Sequence, residues 1–150
     1  MASRNSKRAA KPVPPRIGAE KQPAHAATRL LWRGLVRYNR QVAGPLRYTR
    51  IVLTARERGK IVGGLILDNY WLESYVELLW MSARLRGRDV GTRLIAEAEK
   101  RARRRGSKLL HLNTFSFQAP RFYEKLGFRR FGALHGSPKG ASRYYYVKRI

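Results

Sequence analysis

An α/β domain behind a basic, proline-rich arm is what this sequence predicts, and three observations carry that reading. Turn signals separate apolar segments in the order helix, three strands, helix, strand, short helix, two strands. Residues 75–83 form a nearly continuous apolar run, the pattern of a strand buried on both faces, and residues 108–114 read as a second buried strand. Between them lies a helix with one apolar face. The 150 residues suit one compact domain.

Residues 1–26 read as a flexible arm. Pro12, Pro14, Pro15 and Pro23 interrupt it, Arg4, Lys7, Arg8, Lys11, Arg16 and Lys21 outweigh Glu20, and no apolar period runs through it. A transit peptide would share this basic character, but Glu20 and the prolines speak against one. The domain is expected over residues 27–150. Its first helix places Leu30, Leu31, Gly34, Leu35, Tyr38 and Val42 on one face, with Thr28 as N-cap and Gly44-Pro45 as terminator. Residues 48–55 and 61–67 read as strands joined by a turn at 57–60, and Gly63-Gly64 within the second signals a bulge or a crowded neighbour. Asp68-Asn69 is expected to turn before the strand at 75–83.

Val90, Leu94, Ile95, Ala98 and Ala102 define the second helix, which Gly106 ends. Arg101, Arg103, Arg104 and Arg105 complement the dipole in its last turns. Pro120 opens a short helix through Phe122, Tyr123 and Leu126 to Gly127. Strands at 128–134 and 143–148 close the chain, with Gly136-Ser137-Pro138-Lys139-Gly140 between them.

Composition narrows the functions. Lys and Arg number 33 against 9 Asp and Glu, a formal charge of +24. Such a field attracts polyanions, whether nucleic acid, anionic lipid or a phosphorylated ligand, although a solvated arginine-rich face has the same composition. The absence of cysteine excludes a disulfide scaffold, a zinc–cysteine site and a thiol nucleophile. It is compatible with a reducing compartment, and a cytoplasmic location is expected. No apolar run approaches the roughly 18 residues that span a bilayer, and no secretory signal or membrane association is expected. His25, His111 and His135 lie far apart, so no metal site is expected.

The chemistry concentrates after the strand at 75–83. A Gly-containing basic loop, Arg86-Gly87-Arg88-Asp89, leads into the helix at Val90-Gly91-Thr92. Helix N-terminal amides lack internal partners and favour an anion; Gly87 and Gly91 permit close backbone approach, and Arg86 and Arg88 supply charged donors. This is a plausible pyrophosphate cradle. A plain strand–turn–helix connection has the same pattern, and neither G-x-G-x-x-G nor a Gly-Lys-Ser/Thr phosphate loop is present.

A second segment follows one strand later: Ala119, Phe122-Tyr123 and Lys125-Leu126-Gly127-Phe128. Together the two segments resemble the GNAT superfamily of N-acetyltransferases, from about Leu30 to the C-terminus. The family's Arg/Gln-x-x-Gly-x-Gly/Ala signature is Arg86-Gly87-Arg88-Asp89-Val90-Gly91 here. Asp89 therefore stands at the family's first glycine, where its carboxylate could cap the helix but would repel a diphosphate. The family's first strand has no evident counterpart before the first helix.

The resemblance implies a mixed α+β sheet flanked by helices and splayed between the family's fourth and fifth strands, here residues 75–83 and 108–114. Acetyl-coenzyme A would lie in that splay as co-substrate, with no metal. Main-chain groups around Met81, Ser82 and Ala83 would pair with its pantetheine arm like an added strand. Arg86, Gly87, Arg88, Asp89, Val90, Gly91 and Thr92 would hold the diphosphate. Phe117, Ala119, Phe122, Tyr123 and Lys125 would complete the site, with Arg121 and Lys125 near the outer phosphate.

By the same resemblance Tyr123 is the acid for the leaving thiolate, and the Met81 N–H is the oxyanion donor. Glu77 is the base candidate, because strand alternation puts it on the side of Met81, four residues on, and burial would raise its pKa. Glu73, His111 and a water relay are the other candidates. Structural readings stand beside these: a core or stacking aromatic for Tyr123, a satisfied strand carboxylate for Glu77, a hydrogen-bonded core imidazole for His111.

The expected activity is acetyl transfer to a primary amine of a small molecule, a protein or an aminoacyl-tRNA, by a monomer or homodimer. The charge favours an anionic carrier such as tRNA or the ribosome over a polyamine. The alternative is a non-catalytic module of the same fold that grips nucleic acid through Arg101, Arg103, Arg104, Arg105 and the arm.

Overall fold

The structure is a computed structural model that describes residues 14–150. Most of the expected arm, residues 1–13, lies outside the described residues. The described residues divide into two units, one ending at Tyr38 and the other spanning Asn39–Ile150.

Helix α1, His25–Ala43, crosses that division and buries none of its residues. It starts three residues before Thr28. That residue is not its N-cap: the Thr28 backbone N–H donates to the Ala24 carbonyl at 2.9 Å, and its hydroxyl donates to the same oxygen.

The second unit is a six-stranded mixed sheet in the order β1-β2-β3-β4-β6-β5. β1 (Thr49–Glu57), β2 (Lys60–Tyr70) and β3 (Glu73–Met81) form an antiparallel meander. α2 (Val90–Arg104) crosses over to β4 (Leu109–Phe115), which pairs parallel to β3. α3 (Pro120–Lys125) leads to β5 (Arg129–His135), and β6 (Ser142–Arg149) inserts between β4 and β5.

The β1–β2 turn falls where the sequence places it. Arg58 and Gly59 both take positive φ, 48° and 79°, which suits the right-handed twist of a tight hairpin. The expected turn at Asp68-Asn69 is overturned. Both residues continue β2, opposite Arg50 and Thr49, and the chain reverses at Trp71-Leu72 instead. Long-range partners explain this. Asp68 is buried against Arg50 and Tyr48, and Asn69 bonds Thr49 and Ser74, so neither polar side chain needs a loop.

One core joins Leu65, Leu67 and Val76 of the meander to Leu94, Ile95 and Ala98 of α2, Leu110 and Leu112 of β4, and Tyr123, Phe128 and Tyr146. The expected two-sided burial of the third strand is also overturned: Leu78 and Trp80 are 46% and 54% exposed. The basic cluster of α2 is partly neutralised on its own helix, since Arg101 pairs with Glu97 and Arg103 with Glu99. Among the described residues no helix is long and apolar enough to cross a membrane.

Candidate active site

β3 and β4 pair only over Glu73–Val76 and Leu109–Leu112. Beyond that, β3 runs on to Met81 and β4 to Phe115 without a ladder between them. These are the third and fourth strands of the chain. The parting coincides with a bulge: Val76 faces Leu67 and Leu78 faces Ile66, so Glu77 has no partner on β2. An extra residue of this kind bends the strand and increases its twist.

The bulge also resets which way the side chains point. Ser74 and Val76 are buried, and the next core contact is Leu79, three residues on rather than two. Met81 then faces α2, with its Cε beside Gly91. Glu77 instead meets Arg50 on the opposite face of the sheet. The expectation that alternation places Glu77 and Met81 on one side is therefore overturned. The expected burial is absent too, since the Glu77 side chain is 43% exposed.

The backbone of Met81 faces the gap. The Ser82 N–H donates to the Val62 carbonyl at 2.9 Å, on the β2 side. Alternation in an antiparallel ladder turns the Met81 N–H and C=O the other way, toward β4.

The start of α2 supplies the second wall. Gly87 and Asp89 take positive φ, 74° and 56°. The first helical bond runs from the Arg93 N–H to the Asp89 carbonyl at 2.9 Å, which leaves the amides of Val90, Gly91 and Thr92 without helical acceptors. The Asp89 carboxylate makes no capping bond, so the expected cap is overturned: the residue is in the left-handed region, where its side chain does not reach the N2 and N3 amides.

Met81, Leu85, Gly87, Asp89, Val90, Gly91, Thr92 and Phe122 enclose a hollow of about 110 Å³. A Cβ on Gly91 would lie 2.7 Å from the Met81 Cε and 3.1 Å from the Phe122 Cζ. Glycine at this position keeps the hollow open.

Not all of the expected site gathers here. Ser82, Ala83, Arg86 and Arg88 flank the hollow in sequence without lining it. The Ser82 hydroxyl is buried without a partner, while Arg86 and Arg88 are exposed and unpaired among the described residues. Phe117 stacks on Phe115 with 5.2 Å between ring centres and is 64% exposed. Ala119 accepts the Phe122 N–H at the start of α3, and Lys125 is exposed in its last turn.

Tyr123 is buried among Phe122, Phe128 and Tyr146, with centroid distances of 5.0, 5.9 and 6.3 Å. Burial pushes its phenol up to about 12. It therefore stays protonated at neutral pH, as a proton donor must.

His111 lies against Tyr75, with 5.0 Å between ring centres. Its Nε2 is 3.8 Å from the Glu73 carboxylate, too far for a hydrogen bond. Burial holds its pKa below the usual histidine value, partly opposed by Glu73.

Sequence reasoning missed the polar network on the open face. Asp68, 2% exposed, accepts two bonds from Arg50 and one from Tyr48, and Arg50 also holds Glu77. The residue type of Asp68 predicts a turn, and only strand pairing places it opposite Arg50.

The parted sheet therefore brings an unpaired strand edge beside an open helix N-terminus. The chain matches the profile of the Acetyltransferase (GNAT) family over residues 20–128 and belongs to that family. It is similar to blasticidin-S acetyltransferase of Streptomyces morookaense, 40% identical over 95 residues, 63% of this chain and 70% of that protein. It is also similar to the crystal structure of an acetyltransferase from Bacillus cereus, with a TM-score of 0.82 and 28% identity over 91% of this chain and 98% of that one. A third likeness is to a candidate streptothricin acetyltransferase of Bacillus anthracis in complex with acetyl coenzyme A. There the TM-score is 0.62 and the identity 25% over 67% of this chain and 63% of that one.

Proposed function

We propose that this acetyltransferase moves an acetyl group from acetyl-coenzyme A to a primary amine of a small-molecule acceptor. The observation that carries the reading is the gap between β3 and β4, open beyond Val76 and Leu112 and flanked by the free amides of Val90, Gly91 and Thr92. Acetyl-coenzyme A supplies an activated thioester carbonyl, and the residues present fit it. Three amides and two unpaired arginines suit a diphosphate, and a strand edge suits the pantetheine arm.

In this reading the Met81 N–H donates to the oxyanion. Glu77 takes the proton that the acceptor's ammonium must lose before attack, the protonated Tyr123 gives one to the leaving thiolate, and the second proton shed by the acylated nitrogen restores the phenol. Small-molecule acceptors are favoured because two of the similar proteins carry the names of blasticidin S and streptothricin.

The test measures thiol release from acetyl-coenzyme A with a panel of primary amines that includes blasticidin S. Acceptor-dependent release with a mass increase of one acetyl group on the amine is expected. If no amine accelerates release, and acetyl-coenzyme A at millimolar concentration leaves the melting temperature unchanged, the reading fails.

A further inference from the structure

β1 and β2 pair with Arg50 directly opposite Asp68. The Arg50 Nε and Nη2 donate to the two Asp68 carboxylate oxygens, each at 2.8 Å, while the Tyr48 hydroxyl donates to Oδ1 at 2.9 Å. This is the two-toothed guanidinium–carboxylate geometry, which fixes orientation as well as charge. Asp68 is buried, so this end of the arrangement is rigid. The Arg50 Nη2 also donates to the Glu77 Oε2 across β2, and Glu77 is the residue that the β3 bulge frees from the ladder.

We propose that Arg50 is a positioning residue for acetyl transfer. Anchored by Asp68, it holds Glu77 by one oxygen at the place where β3 leaves β4, so that Oε1 remains available for the acceptor's proton. The inference rests on the acetyl-transfer reading above and on Glu77 as its base.

Exposure supports a geometric role over an energetic one. The Arg50 and Glu77 side chains are 47% and 43% exposed, and exposed ion pairs add little to stability. What the pair supplies is direction. A glutamate on a bulge has no ladder partner to orient it, and each loose side-chain torsion dilutes the reactive geometry.

Two measurements test this, one of which needs no acceptor. The first is the Arg50 Nη2–H resonance in the full chain, the donor to Glu77, assigned by its loss in Arg50→Lys. It should be protected from exchange in the wild type and displaced by Glu77→Gln. The second is acetyl-transfer kinetics of Arg50→Gln, Arg50→Lys, Glu77→Gln and the Arg50→Gln/Glu77→Gln double variant. We expect Arg50→Gln to lower kcat about tenfold, a part of the 10²–10⁴ that general-base catalysis supplies, with KM for acetyl-coenzyme A unchanged. Arg50→Lys should recover part of the rate, and the double variant should be no slower than Glu77→Gln alone.

Since Arg50→Gln strands a buried Asp68, the Arg50→Gln/Asp68→Asn variant checks that the loss is not one of folding. An Nη2–H signal blind to Glu77→Gln, or additive single-variant losses, overturns the proposal and leaves Arg50 as a tie between strands. If the wild type acetylates no amine, the acetyl-transfer reading falls, while the Nη2–H signal still decides whether Arg50 holds Glu77.

Discussion

Gly91 in the first turn of α2 lies so close to Met81 at the end of β3 that a Cβ built on it would come within 2.7 Å of the Met81 Cε. The contact joins the two walls of the candidate coenzyme site. It also explains why a glycine, ordinarily unfavourable in a helix by about 1 kcal/mol, is present there.

Gly91→Ala should therefore separate binding from folding. The nearest atom is the mobile end of a methionine, which can move aside, and alanine favours the helix; the melting temperature should change by only a few degrees. The hollow would fill, and the dissociation constant for acetyl-coenzyme A should rise by about tenfold, roughly 1.4 kcal/mol. Calorimetric titration beside a thermal melt gives both quantities.

Gly64→Ala should do the reverse. Its Cβ would lie 2.6 Å from the Leu53 carbonyl oxygen, in the middle of the β1–β2 ladder, where the obstacle is backbone and cannot step aside. A destabilisation of about 1–3 kcal/mol is expected, measured by chemical denaturation, with acetyl-coenzyme A affinity of the folded fraction intact. Full stability in this variant would show that the sheet tolerates more separation than the geometry indicates.

Asp89 places a carboxylate at the mouth of the hollow in a left-handed conformation, φ 56° and ψ 4°. Asparagine tolerates that conformation and carries no charge. Asp89→Asn should tighten acetyl-coenzyme A binding by about three- to tenfold by removing repulsion toward a diphosphate, with the gain shrinking as salt is raised. Asp89→Gly should tighten it similarly. Equal affinities for all three proteins would place the phosphates away from this turn.

Tyr123→Phe should lower kcat by about 10²-fold, within the range for loss of a proton donor, while leaving acetyl-coenzyme A affinity within a factor of two. The ring packing among Phe122, Phe128 and Tyr146 remains in phenylalanine. A large affinity loss with kcat preserved would assign Tyr123 to packing alone.

The same phenol makes a prediction about alkaline stability. Burial pushes Tyr123 up to about 12, whereas an exposed tyrosine in the unfolded chain titrates near 10. Below pH 10 both states are neutral and the difference contributes nothing. Above pH 10 the unfolded chain loses the proton first, so stability falls as pH rises from about 10 to 12, by at most 2–3 kcal/mol for this group. Tyr146, raised to about 12 by burial and its bond to Glu124, adds a similar slope. Melts between pH 9 and 11 should show a shallower decline in Tyr123→Phe than in the wild type; parallel curves would contradict the assignment.

Much of the fold was legible because it is written in local period and punctuation. The helix over Val90–Arg104 shows its apolar face at Leu94, Ile95, Ala98 and Ala102, and all four are buried. The Arg58-Gly59 turn carries its own conformational signature in two positive φ angles. Continuous hydrophobicity misled at residues 75–83, because the bulge at Glu77 rotates the second half of β3 and exposes Leu78 and Trp80. Asp68-Asn69 misled because turn chemistry and buried polar pairing use the same residue types.

By itself the sequence determined the order of the elements, the glycine-bearing start of α2 and the aromatic pair Phe122-Tyr123, since each depends on residues within a few positions of one another. Only tertiary structure decided where β3 leaves β4, which face Glu77 takes, and that Arg50 and Asp68 meet beside it. Those outcomes depend on register between strands up to 38 positions apart, as in the bond between Asn113 and Tyr75. One bulged residue inverts every facing beyond it, and no short-range pattern records that inversion.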